Sequence, residues 1–518
     1  MTETISTKLH QQTLGDLLRR TARRVPQRVA IQCGDTRWTY EDFDRICNRL
    51  AHGLAAQGVR LGDRVAILSR NSHAFVAMRF ALARLGAVLV PVNTMLNDGE
   101  ITFILKSSGT RMLAIGSDYV DVGGRAAAEA GVEQVIWLPG EEPAAPPAKM
   151  TTFDELLSDL ATAPSLELDS RMLAQIVYTS GTESLPKGAM LTHEAIIWEY
   201  VSCIIDGEMS PQDKFLHALP LYHCAQLDCF LGPAIYLGMQ NIITAQPRPE
   251  VLLPLIAKHQ ISSFFAPPTV WISLLRSPLF DGTDTSSLQK GYYGASIMPV
   301  EVLREMQRRI PRLRLWNFYG QTEIAPVATI LKPEDQERKP GSAGWPVLNV
   351  ETRVVNDAME DVAVGEVGEI IHRSPQLLTG YFNDPVKTKE AFAGGWFHSG
   401  DLATVDTEGY ISVVDRKKDM IKTGGENVAS REVEETIFEL AQVSEVAVIG
   451  LPDPRWIEAV TAVIVLRSGE KLDDRAVIEH CRKNLAAFKI PRRVIFVEEL
   501  PKSPSGKLLK KDLRLRYQ

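Results

Sequence analysis

Hydrophobic and polar positions in the first third of the chain alternate between helical and strand-like spacing. A helix is predicted to begin after Thr39, which caps its first turn, with Asp42 at the third helical position. Short apolar runs at 65–68 and 87–91 predict buried strands, and 75–85 predicts a helix between them. Buried strands that alternate with helices are typical of a parallel sheet covered on both faces.

The pattern changes further along the chain. A polar, proline-rich connection spans 139–147, and residues 350–414 have the pattern of short strands joined by Gly and Asp turns. A charged stretch after Asp415 leads into a compact βα pattern that continues to the end of the chain. We therefore predict an α/β fold, with a large N-terminal domain of layered β-sheets flanked by helices, residues 1–414, and a small α+β C-terminal domain, residues 415–518.

Composition narrows the class of protein. The 518 residues are 45% hydrophobic and 23% charged, which allows a large core and excludes a chain that is disordered throughout. The net charge of -7 gives no general attraction for nucleic acid or for an anionic membrane. We therefore expect small-molecule partners and no nucleic acid.

The spacing of the cysteines and the length of the apolar segments indicate where in the cell the protein is expected. The six cysteines include no C-x-x-C pair, which disfavours a zinc cluster, and a disulfide scaffold is not expected in so large a chain. The first residues lack the basic start, apolar run and small-residue cleavage site of a secretory signal. No apolar run reaches the roughly 18 residues of a spanning helix. These patterns predict a cytoplasmic protein without a transmembrane segment.

The first segment with candidate chemistry is Tyr-Thr-Ser-Gly-Thr-Glu-Ser-Leu-Pro-Lys-Gly at 178–188, which follows a predicted strand at 175–178. Its backbone N–H groups, its hydroxyls and Lys187 suit phosphate oxygens. The spacing differs from the G-x-x-x-x-G-K-[ST] phosphate loop of kinases and GTPases. A polar connection between two elements is the alternative for this segment alone.

Two further segments combine groups that suit a nucleotide. Asn-Phe-Tyr-Gly-Gln-Thr-Glu at 317–323 places a ring, a glycine turn, a hydroxyl and a carboxylate together, which can stack a base, contact phosphate and hold Mg²⁺. Trp-Phe-His-Ser-Gly-Asp at 396–401 offers a carboxylate that can bind both hydroxyls of a ribose. A buried Tyr, a solvated Glu and an Asp turn are the alternatives for these residues taken singly.

The last two segments lie in the predicted small domain. Residues 415–427 carry a charge run followed by Gly424 and Gly425, and paired glycines allow close approach of a ligand or another backbone. Residues 501–507 place Lys507 on a loop stiffened by proline, where it can present a cation to phosphate. A solvated face and ordinary surface lysines are the alternatives.

Together and in this order, the five segments resemble the adenylate-forming superfamily, specifically its acyl-CoA synthetases. That superfamily also includes firefly luciferase and the adenylation domains of peptide synthetases. The resemblance extends from Thr39 to Lys510. It implies an enzyme that uses ATP, Mg²⁺ and coenzyme A, with two domains joined by a hinge at Asp415 and with Lys507 as the catalytic lysine of the mobile small domain.

The resemblance also implies roles for the matching residues. Those that would bind ATP or AMP are Thr179, Ser180, Gly181, Thr182, Lys187, Gly294, Ala295, Ser296, Tyr319, Gly320, Thr322, Asp401, Arg416 and Lys507. Within this set, Tyr319 would stack on adenine, Thr322 would contact the α-phosphate, and Asp401 and Arg416 would hold the ribose. Glu323 would bind the metal.

The remaining implied roles concern the acid and CoA. His223 stands where the family places an aromatic gate near the carboxylate, and His223, Leu227 and Gly294 would line the acyl pocket. Gly424 and Gly425 would accommodate the pantetheine arm of CoA. With Lys507 and Glu323, His223 and Thr182 complete the set of residues expected to take part in catalysis.

Two positions depart from the family pattern. Glu183-Ser184 replaces the Thr-Gly that many relatives carry in the phosphate loop, which places a carboxylate beside the expected triphosphate. Ser399 replaces the more usual threonine before Gly-Asp and keeps only its hydroxyl. The role of Glu183 therefore stays open.

The implied activity is that of an acid–thiol ligase, an AMP-forming carboxylate–CoA ligase. The stretch 222–225 lacks the Asp that amino-acid-activating relatives use, and its neighbours are apolar, so we expect an aliphatic or fatty acid, with aryl acids left open. The alternatives are an acyl-AMP ligase that loads a carrier protein, a luciferase-like oxygenase and a non-catalytic nucleotide-binding protein. A homodimer is an open alternative to a monomer.

Overall fold

The computed structural model describes residues 11–179, 186–294, 298–417, 419–423, 426–502 and 508–518. The helices are α1 (Leu14–Arg24), α2 (Tyr40–Ala56), α3 (His73–Leu85), α4 (Asp98–Ser108), α5 (Val120–Ala130), α6 (His193–Asp206), α7 (Gly232–Leu237), α8 (Pro249–His259), α9 (Pro268–Arg276), α10 (Val300–Arg309), α11 (Pro385–Ala391), α12 (Ser430–Phe438), α13 (Asp474–Asn484) and α14 (Lys510–Tyr517). A π-helix, Ala225–Leu231, runs directly into α7.

The strands are β1 (Val29–Cys33), β2 (Thr36–Thr39), β3 (Arg64–Leu68), β4 (Val88–Pro91), β5 (Thr110–Gly116), β6 (Gln134–Leu138), β7 (Thr151–Thr152), β8 (Leu173–Thr179), β9 (Lys187–Thr192), β10 (Lys214–His217), β11 (Gln240–Ile243), β12 (Ser263–Phe265), β13 (Lys290–Gly294), β14 (Arg314–Gly320), β15 (Val327–Leu331), β16 (Trp345–Pro346), β17 (Glu351–Val355), β18 (Gly368–Arg373), β19 (Phe397–Val405), β20 (Ile411–Arg416), β21 (Ile421–Thr423), β22 (Glu426–Val428), β23 (Val443–Asp453), β24 (Ile457–Leu466) and β25 (Arg493–Val497).

These strands form four sheets. A nine-stranded sheet has the order β16-β15-β14-β13-β12-β10-β11-β1-β2, and a seven-stranded sheet has the order β7-β6-β5-β3-β4-β8-β9. Parallel pairs form the middle of both sheets. Antiparallel strands lie at both edges of the nine-stranded sheet, but at only one edge of the seven-stranded sheet, where β9 pairs with β8. A four-stranded antiparallel sheet, β17-β18-β19-β20, follows in the chain, and the fourth sheet is five-stranded, with the order β22-β21-β24-β23 and β25 beside β24. The predicted α/β fold with layered sheets and helices is confirmed.

Local sequence accounts for several of these elements. The predicted capping box of α2 is present, because the Thr39 side chain accepts from the backbone of Asp42 and the Asp42 side chain accepts from the backbone of Thr39. Helix α3 is apolar on nearly every side, and all of its residues are buried. The largest hydrophobic cluster accordingly joins α1, α2 and α3 to strands of both large sheets.

The C-terminal elements have a core of their own. Two hydrophobic clusters contain only residues from Ile421 onward, and they fill the space between the β21–β25 sheet and helices α12, α13 and α14. Asp415 lies within β20, the last strand of the four-stranded sheet. The predicted boundary between 414 and 415 therefore falls inside a strand. Among the described residues, no helix combines the length and the apolar character needed to cross a membrane.

Candidate active site

The carboxyl ends of parallel strands bring several predicted residues to one edge of the nine-stranded sheet. β13 ends at Gly294 and β14 ends at Gly320, and the two strands pair with Gly294 opposite Phe318. A Cβ on Gly294 would lie 2.4 Å from the carbonyl oxygen of Phe318, and one on Gly320 would lie 1.9 Å from that of Pro326. Both positions therefore require glycine for close backbone approach, and this edge is where open α/β sheets bind ligands.

Tyr319, Asp401 and Arg416 form one group at this edge. The Tyr319 hydroxyl donates to Asp401 Oδ2 at 2.7 Å, and Arg416 Nε lies 3.3 Å from Asp401 Oδ1. Asp401 stands directly opposite Arg416 in the pairing of β19 with β20. Burial, followed by the neighbouring Asp401 charge, raises the pKa of the Tyr319 hydroxyl well above its ordinary value. The hydroxyl therefore stays protonated and remains a donor.

Ser399 fixes the orientation of the Asp401 backbone. Its hydroxyl accepts from the Asp401 N–H at 3.0 Å and donates to the carbonyl of Ile370 at 2.6 Å. Gly400 between them has a φ of +72°, in the left-handed region that favours glycine. The hydroxyl that Ser399 shares with threonine is therefore the group that this turn uses.

Glu323 forms a second group with Tyr381 and Lys187. The Tyr381 hydroxyl donates to Glu323 Oε1 at 3.0 Å, and the Glu323 carbonyl accepts from the N–H of Leu378 at 2.8 Å. Lys187 Nζ lies 5.6 Å from the centroid of the Tyr381 ring. Burial raises the pKa of the Glu323 carboxyl, and the hydrogen bond from Tyr381 and the charges of Arg416 and Lys187 partly offset this effect.

The ends of the predicted phosphate loop are paired. Thr179 ends β8 and Lys187 begins β9, and the two residues stand opposite each other in an antiparallel pair. The Thr179 hydroxyl also reaches the carbonyl of Lys187 at 3.5 Å. The connection between them therefore leaves and re-enters the seven-stranded sheet at one point, close to Tyr381 and Glu323.

The predicted acid pocket adjoins the nucleotide residues through Thr322. Its hydroxyl lies 3.2 Å from Cys224 Sγ, immediately before the π-helix. His223 is half-buried, and its Nδ1 accepts from the backbone N–H of Ala225 at 3.2 Å. Leu227 is fully buried, and its N–H donates to the carbonyl of His223 at 3.1 Å. A π-helix is rare and often lies at a functional site.

Several predicted residues lie outside the described part of the chain. They are Ser180, Gly181, Thr182, Glu183 and Ser184 of the phosphate loop, Ala295 and Ser296 after β13, Gly424 and Gly425, and Lys507. Their roles stay predictions.

A buried charge network beneath the site was not found by sequence reasoning. Arg79 of α3 donates to Gln175 at 2.6 Å and to the Tyr200 hydroxyl at 2.9 Å, and it forms an ion pair with Asp228 of the π-helix. Gln175 donates to the other Asp228 oxygen at 2.7 Å. The available signal was an arginine within an apolar helix pattern, because a buried charge needs a partner.

A cluster of Glu199, Cys203 and Cys229 lies beside this network. One donor atom from each residue falls within 4.8 Å of the others, and the Cys203 thiol donates to Glu199 at 3.1 Å. Burial raises the pKa of the Glu199 carboxyl and of both thiols well above their ordinary values. Burial therefore favours the neutral, protonated form of all three groups, which lets them lie side by side without charge repulsion.

Comparison with known proteins agrees with this architecture. The family model described as AMP-binding enzyme matches residues 18–382, and the one described as AMP-binding enzyme C-terminal domain matches residues 432–507.

Curated relatives cover nearly the whole chain. A feruloyl-CoA synthase from Amycolatopsis sp is 36% identical, over 98% of this chain and 100% of the relative. The long-chain-fatty-acid–CoA ligase FadD13 of Mycobacterium tuberculosis is 34% identical, over 93% and 94%. The indoleacetate–CoA ligase of Aromatoleum aromaticum is 34% identical, over 97% of each chain.

Solved structures show the same fold. ATP-bound MatB from Rhodopseudomonas palustris superposes with a TM-score of 0.88 at 28% identity, over 98% of this chain and 99% of that one. The anthranilate CoA ligase AuaEII in complex with anthranoyl-AMP superposes with a TM-score of 0.90 at 24% identity, over 98% of each chain. These superpositions include both the N-terminal sheets and the C-terminal elements after Ile421. The chain belongs to the AMP-binding enzyme family of adenylate-forming enzymes, and within it to the AMP-forming acyl-CoA synthetases.

Proposed function

We propose that this protein joins a hydrophobic carboxylic acid to coenzyme A in two steps that consume ATP. One observation carries the proposal: the hydrogen-bonded Tyr319–Asp401–Arg416 and Glu323–Tyr381 groups lie around the end of β14, and Lys187 of the other large sheet lies over the Tyr381 ring. An aromatic ring beside a carboxylate suits a nucleoside, and a second carboxylate beside a lysine suits its phosphates.

In the first step, a carboxylate oxygen of the acid attacks the α-phosphorus of ATP. The bond between the α-phosphorus and the bridging oxygen breaks, which gives acyl-AMP and pyrophosphate. The chain forms no covalent bond in this step, so its contribution is positioning and charge. Tyr319 holds the base, Asp401 and Arg416 hold the ribose, and Thr322 contacts the α-phosphate. Lys187 and Lys507 offset the charge that develops on the phosphates.

Magnesium would enter with ATP, and the residues present suit it. The Glu323 carboxylate offers the oxygen ligands that a hard cation prefers, and Tyr381 orients that carboxylate by donating to only one of its oxygens. Bound there, the ion would offset the triphosphate charge. Burial raises the pKa of the Glu323 carboxyl, and a cation bound beside it would favour the ionised form.

In the second step, the CoA thiolate attacks the acyl carbonyl, and AMP leaves as the thioester forms. Lys507 serves only the first step, so we propose that the small domain begins at Asp415 and turns there between the steps. After the turn, Gly424 and Gly425 would leave room for the pantetheine arm. No thiol of the chain is required as an acyl carrier.

The acid site is proposed to lie along His223, Leu227 and Gly294. Phe230 of the π-helix forms an aromatic wall with its neighbours, since its ring centroid is 4.3 Å from that of Phe265 and 5.2 Å from that of Tyr292. Such a wall suits a hydrophobic acid with either an alkyl or an aryl body. The aliphatic acid predicted from the sequence is thus one member of a wider class, since the relatives named above include ligases for a cinnamic-type, an indole and a fatty acid.

The test is acid-dependent exchange of pyrophosphate into ATP, followed by an assay for acyl-CoA, with decanoate, ferulate and indoleacetate as matched probes. We expect exchange with at least one acid without CoA, and a thioester only when CoA is added. Asp401→Asn serves as the control and should lose both. Acyl-AMP that accumulates whether or not CoA is present would instead indicate an acyl-AMP ligase, and binding of ATP with no exchange would indicate a non-catalytic protein.

A further inference from the structure

A chain of polar contacts starts at the predicted pivot. Asp415 Oδ2 accepts from the backbone N–H of Ser430 at 2.8 Å and from its hydroxyl at 2.7 Å. Ser430 is the first residue of α12 and is fully buried, and Asp415 is 8% exposed. No side chain next to α12 caps its first turn. The Asp415 carboxylate, from the preceding sheet, satisfies this helix end instead.

The chain continues through Ser430 to Lys510. The Lys510 ammonium donates to the Ser430 hydroxyl oxygen and forms an ion pair with Glu434 Oε1 at 2.8 Å. One serine hydroxyl can do both, because it has one proton to give to Asp415 and lone pairs to accept from Lys510. Glu434 is itself held by the backbone N–H of Val448 at 2.7 Å.

Lys510 stands where a lysine is otherwise unfavourable. It is the first residue of α14, and a positive charge at a helix N-terminus opposes the helix dipole. Its contacts with Ser430 and Glu434 offset that cost. We therefore infer that the contacts with Ser430 and Glu434 determine where the Lys510 ammonium lies.

Lys510 also begins the helix that follows residues 501–507, the segment that carries Lys507. Lys502 and Leu508, on either side of that segment, form an antiparallel bridge, and the Leu509 N–H donates to the carbonyl of Pro501 at 2.9 Å. Lys502 is anchored by Glu445 at 2.6 Å. The described residues before and after 503–507 are therefore held together, and Lys510 follows them directly in the chain.

We propose that Lys510 is a positioning residue that couples the pivot at Asp415 to the segment carrying Lys507. Its ammonium holds Ser430 on Asp415 and so favours the orientation of the small domain seen here. Of these contacts, only the one between Asp415 and Ser430 links the β17–β20 sheet to the elements that follow it. The proposal includes the assignment of this orientation to the ATP-using step. The inference rests on the proposed function.

The test compares Lys510→Met, which keeps the apolar stem, with Lys511→Met, which removes the exposed neighbouring charge. We expect Lys510→Met to lower acid-dependent pyrophosphate exchange about tenfold or more, the loss typical of a charge-assisted hydrogen bond. Thioester formation from supplied acyl-AMP and CoA should be unchanged. Lys510→Arg should restore exchange, and Lys511→Met should leave both half-reactions as in the wild type.

A double-variant comparison tests the path through Ser430. Because Lys510 acts through the Ser430 hydroxyl, Ser430→Ala combined with Lys510→Met should lose little more exchange than the worse single variant. Equal losses in both half-reactions, or fully additive losses in the double variant, would overturn the inference. A wild type that shows no exchange with any acid contradicts the proposed function. An active wild type in which Lys510→Met behaves like Lys511→Met contradicts this inference alone.

Discussion

At the scale of the residue, the ring and the hydroxyl of Tyr319 have two different roles. Its ring would lie against the base, and its hydroxyl is already bound to Asp401, the acid proposed to hold the ribose. The raised pKa of the hydroxyl keeps it a donor at any physiological pH. Tyr319 therefore orders the Asp401 carboxylate before a nucleotide arrives, which lowers the entropy cost of binding.

Removing that hydroxyl gives the first prediction. Tyr319→Phe keeps the ring and loses the hydrogen bond, so we expect the KM for ATP to rise about fivefold, equivalent to about 1 kcal/mol, with little change in the KM for the acid. Steady-state kinetics with each substrate varied in turn would measure this. Tyr410→Phe is the matched control, since the Tyr410 hydroxyl also binds a carboxylate, Asp335 at 2.6 Å, away from this edge. Equal effects of the two changes would contradict the prediction.

Glu199 gives a prediction about pH. Its folded pKa is raised well above 4.5 by burial, so above that pH the unfolded chain loses a proton that the folded chain keeps. The unfolded state then binds fewer protons, and stability must fall as pH rises, by up to about 1.4 kcal/mol per pH unit. Glu199→Gln removes the titration and should flatten the melting temperature between pH 5 and pH 8.

The control for Glu199 is Glu194→Gln, the same exchange near the start of the same helix and outside the buried cluster. Its melting temperature should follow the slope of the wild type. A wild type and a Glu199→Gln variant with parallel slopes would show that Glu199 ionises in the folded protein after all.

At the scale of the element, the Arg79–Asp228 pair joins three segments with different tasks. It ties α3, which packs between the two large sheets, to β8, which leads into the phosphate loop, and to the π-helix beside the acid site. A buried pair of this kind does not by itself add stability, but breaking it leaves one charge without a partner. The pair thus fixes the relative positions of these three segments.

Breaking the pair gives a stability prediction. Asp228→Asn leaves the Arg79 charge buried without its counterion, so we expect the free energy of unfolding to fall by about 3 kcal/mol. The double variant Arg79→Met with Asp228→Leu should recover most of this loss, because neither charge remains. Thermal and urea unfolding would measure both. Glu129→Gln, at the exposed pair with Lys106, should cost about 1 kcal/mol or less, and a larger loss there than at Asp228 would contradict the prediction.

The same elements show how far sequence reasoning reaches. The capping box between Thr39 and Asp42 was predicted because it depends on residues three positions apart. The site segments were predicted because each keeps its chemistry within a few residues. The bond between Tyr319 and Asp401 joins residues 82 positions apart, and Arg79 and Asp228 are 149 apart. Such contacts depend on how sheets pack, and no local pattern specifies that.

At the scale of the whole molecule, the elements from Ile421 onward have their own core, and among the described residues a few side-chain hydrogen bonds of α12 join them to the preceding elements. Besides Ser430, Arg431 reaches back to the carbonyls of Val413 and Gly341. Interfaces of this kind permit one domain to turn against the other. The proposed two-step reaction would use such a turn, because the lysine proposed for the first step and the CoA of the second would approach the same atoms.

Lys507→Ala tests whether Lys507 acts in the formation of acyl-AMP and not in the formation of the thioester. We expect acid-dependent exchange to fall by a factor of about 100 or more, because a positioned charge at the first transition state is worth about 3 kcal/mol. Thioester formation from supplied acyl-AMP should persist. The two half-reactions are measured separately, with Lys483→Ala in α13 as a surface control. Equal losses in both would mean that Lys507 is structural.

The position of Asp415 within β20 has a consequence for the making of hybrid enzymes. Arg416, which contacts the acid proposed to hold the ribose, follows Asp415 by a single peptide bond. A junction placed between 414 and 415 would therefore bring in a foreign Arg416 with the small domain, while Asp401 comes from the recipient. The two residues proposed to hold the ribose would then come from different proteins. When small domains are exchanged among relatives, the junction should instead follow Arg416, so that the recipient keeps both residues proposed to hold the ribose. The incoming domain should also carry a serine at the position of Ser430, so that the contact with Asp415 is kept.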